Sequence, residues 1–253
     1  MILGIDTSAG QCAVALIAGD SIVARAVEPM ARGHAERLFP LIETALAEAG
    51  FGLESLNRIA VCTGPGSFTG LRVGVAAARG LALGRGVPAV GVTRFEAVAA
   101  AIARPAWIAC MRSAGSSEPL LPPEGPAATR PRAVEDKVGW AESRPMAVAL
   151  AGRGGSFLQR FAPDLAPLGE PAFLATDALA ALAAGEDAAT DVRLGDGWAA
   201  AGLAPDLAPQ GLADPAITAA IAARAAPGPM PAPLYLRDAD ADPPREPPPP
   251  LLD

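Results

Sequence analysis

The chain has 253 residues, 51% of them hydrophobic, enough to bury a sizeable core as one large domain or two small lobes. No apolar run approaches the roughly 20 residues needed to cross a bilayer, and a formal net charge of −7 argues against a large nucleic-acid-binding face. The three cysteines, Cys12, Cys62 and Cys110, are far apart, fit no C-x-x-C metal pattern and lie in apolar runs, so buried inert thiols in a reducing cytoplasm are expected. The opening Met1-Ile2-Leu3-Gly4-Ile5-Asp6 reaches an acidic residue with no basic region before it, so no signal peptide is read there.

Residues 1–6 read as an apolar strand ending in the polar turn Asp6-Thr7-Ser8-Ala9-Gly10. Cys12 to Ile17 and Ser21 to Val27 read as two further strands of an antiparallel meander. Leu38, Leu41, Ile42, Ala45, Leu46 and Ala49 recur at helical spacing, with Pro40 inside the pattern and Gly50 as its stop. A strand at 59–62, a helix over about 69–84, a strand at 87–92 and a helix to about Ala103 follow, the last opened by the capping box Thr93-Arg94-Phe95-Glu96. This order describes a mixed sheet covered by helices and matches one lobe of the actin-like ATPase fold. Residues 111–145 are rich in Pro, Gly, Ser and Arg and read as a long loop or disordered insert. Met146 to Ala151 resumes as a strand, Thr176-Asp177 opens a helix to about Ala184, and Asp214-Pro215 opens one to about Ala225. The proline-rich tail from Asp242 is expected to be extended and mobile.

The stretch from Thr63 to Arg79 is the most distinctive. Gly64, Pro65 and Gly66 make a tight turn after an apolar strand, and an alanine-rich helix follows, with Gly70, Gly74 and Ala78 spaced by four on one side. Another backbone can approach that side closely, whether a phosphate sits at the helix start or a second protein lies along it. The spacing fails both the P-loop and the dinucleotide-binding patterns. Arg72 and Arg79 share a face with Val75 and Ala76 between them, a mixed strip of the kind interfaces use. The stretch therefore reads first as a docking element, with anion binding open at its start. Asp6, Thr7 and Ser8 are weak nucleotide candidates, with Asp6 facing a magnesium ion; the alternative is a turn closed by side-chain to backbone bonds. His34 is the single histidine, which rules out a metal site built on paired histidines; an interface or helix-start role is favoured over catalysis.

Leu3-Gly4-Ile5-Asp6-Thr7-Ser8, His34-Ala35-Glu36-Arg37-Leu38, Thr93-Arg94-Phe95-Glu96-Ala97, Pro233-Leu234-Tyr235-Leu236-Arg237 and above all Gly64-Pro65-Gly66-Ser67-Phe68-Thr69-Gly70-Leu71-Arg72-Val73-Gly74 resemble the TsaB (YeaZ) family. The resemblance is strong over residues 1–103 and weaker at 215–240. It implies a two-lobed actin-like (ASKHA, ribonuclease H-like) α/β fold, with residues 1–104 as the first lobe, 105–240 as the second with an irregular 111–145 insert, and 241–253 as a disordered tail. It implies a noncatalytic scaffold in the synthesis of N6-threonylcarbamoyladenosine at position 37 of tRNA, an inactive paralogue of the TsaD-like catalytic subunit. The implied partners are that subunit, a TsaE-like ATPase and, when alone, a second copy; tRNA is met only through the complex, and no membrane is involved. No cofactor of its own is implied, and nucleotide only at the complex interface. The implied interface lies on the helices at about 34–49 and 69–84, with His34, Leu38, Leu41, Ile42, Gly70, Arg72, Gly74, Val75 and Arg79 as candidates. After Ile108 the sequence leaves the family pattern at Cys110-Met111-Arg112-Ser113-Ala114-Gly115, as either divergence or a reading-frame disturbance would produce. The rival readings are an actin-like phosphotransferase using Asp6 and, more weakly, a protease.

Overall fold

The computed structural model describes residues 1–103, 112–113, 144–185, 191–206 and 213–236. Strands β1 (Ile2–Ala9), β2 (Gln11–Ala18) and β3 (Ser21–Pro29) form the expected meander. β4 (Arg58–Cys62) and β5 (Ala89–Val92) join parallel to β1 and to each other, and β6 (Arg112–Ser113) pairs with the start of β3, giving the order β5-β4-β1-β2-β3-β6. Apart from β6, the expected 111–145 insert and the expected disordered tail lie outside the described residues.

The alternation along β1 sends Leu3 and Ile5 to one face of the sheet and Gly4 to the other. On the first face lie α1 (His34–Ala49) and α2 (Phe68–Arg85), whose Leu38, Leu41, Ile42, Val75 and Ala78 complete one core with the strands. Pro40 sits in the second turn of α1, where it is accommodated without ending the helix. On the opposite face lie α3 (Arg94–Ala103) and a helix from far along the chain, Pro215–Arg224. The capping box before α3 is closed in both directions: Thr93 N donates to Glu96 Oε2 at 2.7 Å and Glu96 N to Thr93 Oγ1 at 3.1 Å.

A second sheet has the order β10-β7-β8-β9, formed by β7 (Met146–Gly152), β8 (Gly155–Phe161), β9 (Ala172–Leu174) and β10 (Val192–Leu194). One face packs Met146, Val148 and Leu150 against Phe95 and Val98 of α3, joining the two sheets. The other is covered by α4 (Thr176–Ala183) and α5 (Asp196–Ala200), where Trp198 is fully buried and donates to Ala147 O at 3.0 Å. The residue before α4 is Ala175, with no side-chain cap, so Thr176 and Asp177 lie inside the helix they were expected to cap.

The expected domain boundaries need one correction. The helix Pro215–Arg224, α6, was placed in the second lobe, yet it packs on the first sheet: Ala216, Ile217 and Ala220 meet Ala15, Ala60 and Val90. Its alanines let it lie close, and a Cβ at Gly4 would overlap the Pro215 carbonyl. Asp214 caps it by accepting from Ala216 N at 2.8 Å and pairs with Arg25 at 3.1 Å, while Arg58 Nη1 donates to carbonyl oxygens at its end.

The small side of α2 meets β1. A Cβ at Gly70 would overlap the Thr7 carbonyl oxygen, and one at Gly74 the Thr7 hydroxyl. Gly70→Ala is therefore expected to lower the unfolding free energy by about 1–3 kcal/mol in urea titrations. Gly80→Ala on the same helix meets open space, so it should stabilise by about 0.5–1 kcal/mol. Equal effects of the two substitutions would contradict the close approach.

Candidate functional site

Asp6, Thr7 and Ser8 end β1 fully buried. Asp6 Oδ1 accepts from Ser8 N at 2.9 Å and from Ser8 Oγ at 2.6 Å. Its Oδ2 accepts from Gln11 Nε2 at 2.9 Å, and the same amide donates to Ala213 O at 3.0 Å, just before α6. Thr7 Oγ1 donates to Gly70 O at 2.7 Å, and Ser8 O accepts from Ser67 N at 2.7 Å. Asp6, Thr7 and Ser8 thus hydrogen-bond within the fold, tying β1 to α2 and to the segment before α6. The local side-chain to backbone bonds expected of a turn are present, but the segment is the bulged end of β1, which continues to Ala9. On one side the glycine loop lies against the Ser8 backbone; with Pro65, Gly66 and Ser67 it also borders a cavity between the two sheets. Ser67 caps α2 by accepting from Gly70 N at 3.2 Å.

The interface candidates divide by exposure. Leu38, Leu41, Ile42 and Val75 belong to the core beneath α1 and α2, and Gly70 and Gly74 are buried against β1. His34 is buried at the first position of α1, its Nε2 3.4 Å from Ala9 O. All seven are buried in this fold, where the hydrophobic stripe at helical spacing faces the chain's own sheet, and Leu38 also borders the groove between α1 and α2. Arg72 and Arg79 are exposed as expected, with Ala76 between them, while Val75 points inward.

The outward surface contains a groove that sequence reasoning missed. It lies between α1 and α2, has a volume of about 680 Å³, and is lined by Ala35, Phe39, Leu53, Val73, Ala76 and Leu81 among others. Phe39 is 48% exposed and Leu53 42%, and Leu83, one turn beyond Arg79, is 79% exposed. Large apolar side chains left this open on one face mark a contact surface. The signal available in the sequence was Phe39, an aromatic off the apolar stripe of α1 beside Pro40.

Between the two sheets lies a second cavity of about 380 Å³, bordered by Ser67, Phe68, Arg94, Arg153, Phe157 and Tyr235. Arg94 is buried here, its Nη1 donating to Pro65 O at 3.2 Å. At its rim the Phe68 and Tyr235 rings stack at 4.9 Å and 36°. Among the described residues no group of three His, Cys, Asp or Glu side chains could hold a metal ion, and no helix is long and apolar enough to cross a membrane. Burial pushes the Cys62 thiol up to about 12 and the Cys12 thiol up to about 11, with Glu28 adding to the latter, so neither is a nucleophile at neutral pH.

Asp6→Ala would strand the Ser8 and Gln11 donors. It is expected to lower the unfolding free energy by more than about 2 kcal/mol in urea titrations. Unchanged stability with loss of an ATP turnover would favour the phosphotransferase reading instead.

The family profile described as "tRNA N6-adenosine threonylcarbamoyltransferase" (TsaD) matches residues 26–124. The chain is 41% identical over 98 residues to the tRNA threonylcarbamoyladenosine biosynthesis protein TsaB of Escherichia coli (strain K12), covering 39% of this chain and 42% of that protein. It is 53% identical over 68 residues to a tRNA N6-adenosine threonylcarbamoyltransferase of Cereibacter sphaeroides (strain KD131 / KCTC 12085), covering 27% of this chain and 19% of that protein. The sequence matches thus span less than half the length of these relatives. In fold, a crystal structure of "an uncharacterized protein with similarity to peptidase YEAZ" from Pseudomonas aeruginosa superposes with a TM-score of 0.66 at 23% identity, covering 93% of this chain and 99% of that one. YeaZ from the same organism gives 0.62 at 22% identity, over 88% and 90% of the two chains. The resemblance to the TsaB (YeaZ) family is borne out by sequence over part of the chain, and the α/β fold of the YeaZ structures is shared over nearly all of it.

Proposed function

We propose that this chain is the noncatalytic scaffold subunit of a tRNA N6-threonylcarbamoyladenosine-synthesising complex, docking a TsaD-like catalytic subunit in the groove between α1 and α2. The observation that carries the reading is the groove itself, with Phe39 and Leu53 open to solvent on its walls, Leu83 exposed on α2 outside its lining, and arginines nearby that can frame a contact. The relatives bearing the TsaB name supply the pathway, and the TsaD likeness fits a paralogue that pairs with its own kind. In this reading the chain catalyses nothing: the Asp6 carboxylate, which an actin-like phosphotransferase would need, is engaged by Ser8 and Gln11 at the bulged end of β1. It needs no cofactor, and nucleotide enters only at the joint with its partners. A TsaE-like ATPase joins the pair, tRNA is reached through the complex, and a second copy covers the groove when the partner is absent. The assembly works in the cytoplasm.

Co-expression with the TsaD-like subunit of the same organism is expected to give one one-to-one peak on a sizing column. Phe39→Asp should divide that peak in two while leaving thermal unfolding unchanged within a few degrees, because Phe39 contributes little to the core. Separate peaks for the unsubstituted proteins would overturn the proposal.

A further inference from the structure

Arg72 leaves α2 one turn before Ala76, a residue of the groove, so it stands at one end of the docking face. Its side chain is exposed yet held in place twice. The guanidinium carbon lies 3.8 Å from the centre of the Phe68 ring, and Nε donates to the Tyr235 hydroxyl at 3.0 Å. Tyr235 is itself fixed by its neighbours. Leu234 N donates to Thr63 O at 2.8 Å, and Leu234 and Leu236 pack into the core shared by α3 and the second sheet. The hydroxyl that orients Arg72 is thus anchored to both lobes. Among the described residues no carboxylate pairs with Arg72, so the two Nη groups of the fork remain for an acceptor from outside.

We propose that Phe68 and Tyr235 are positioning residues that preorganise Arg72 to bind a carboxylate of the docked subunit through its two Nη groups. The inference rests on the reading of α2 as the docking face. A free arginine loses much rotamer entropy when it docks; one already stacked on a ring and bonded at Nε loses less, and the planar fork suits a carboxylate better than a point charge does. Buried or stacked arginines of this kind are frequent anchors of protein contacts.

The test is a double-mutant cycle on binding of the purified TsaD-like subunit, read by calorimetry. Tyr235→Phe keeps the ring and removes only the hydroxyl, and is expected to weaken binding about three- to tenfold with unchanged thermal unfolding. Arg72→Ala should weaken it further, and Tyr235→Phe should then cost nothing more. Phe68→Leu should behave as Tyr235→Phe does. Arg72→Lys, which keeps the charge but not the fork, should not restore binding. If Tyr235→Phe binds as tightly as the unsubstituted chain, or its loss persists in Arg72→Ala, positioning is overturned and the docking reading stands. If the unsubstituted chain does not bind, both fall together.

Discussion

The backbone of α2 lies directly on the end of β1, and most of the molecule's surface is arranged by that one contact. It requires glycine at 66, 70 and 74, since a Cβ at each would overlap Ser8 O, Thr7 O or Thr7 Oγ1. Hydrogen bonds then pin the approach from both sides, from Thr7 Oγ1 to Gly70 O and from Ser67 N to Ser8 O. With the glycine side facing inward, the 3.6-residue period leaves no freedom for the remainder of the helix. Val75 and Ala78 must enter the core, and Arg72, Ala76, Arg79 and Leu83 must face out. The exposed face of α2 is therefore a consequence of how its hidden face packs.

The same contact sets the surroundings of the carboxylate at this corner of the fold. A helix N-terminus after a glycine turn attracts anions when its amides are open. Here the glycine loop lies against the neighbouring strand on one side, and the carboxylate nearby, Asp6, accepts three hydrogen bonds from Ser8 and Gln11. A buried carboxylate without a cation is tolerable only when its lone pairs are satisfied in this way. Gln11 passes the tether on to Ala213, so the group that might have held a metal instead helps bring α6 back onto the first sheet. The nucleotide-like corner of the fold has become a structural joint between segments about two hundred residues apart in sequence.

Most elements of the first lobe were legible in the sequence because their apolar patterns are regular. β2, β3, α1, β4, α2, β5 and the capping box of α3 lie within about two residues of where periodicity and turn residues put them, whereas β1 runs three residues past Asp6, through the segment read as a turn. β8, β9, β10 and α5 were not legible. Their runs are short, and β8 is broken by Ser156, Gln159 and Arg160, so no window holds a clear period. The placement of α6 could not be read locally at all, because an alanine-rich helix carries no mark of which sheet it will cover. At the candidate site, the small-residue side of α2 was recognised as a place of close approach, but its partner is β1 of the same chain. The stripe of Leu38, Leu41 and Ile42 was read as helical from its spacing and placed at an interface by the family resemblance; helical amphipathicity itself reports that a face is buried, and is silent on what buries it.

The groove follows from this distinction. Once α1 and α2 have both spent their apolar stripes on the sheet, any further large apolar side chain on them has nothing internal left to meet. Phe39 and Leu83 are such residues, and Leu53, on the short turn after α1, adds a third. The groove floor is made of Ala76, Ala77, Gly80 and Gly84, whose small side chains hold it open where larger ones would have filled it. A monomer gains nothing from this arrangement, since filling the groove with longer side chains of α2 would cover apolar surface at no cost to the core. Under the proposed docking, a second surface completes the small-residue floor, the apolar walls and the arginine held at one end.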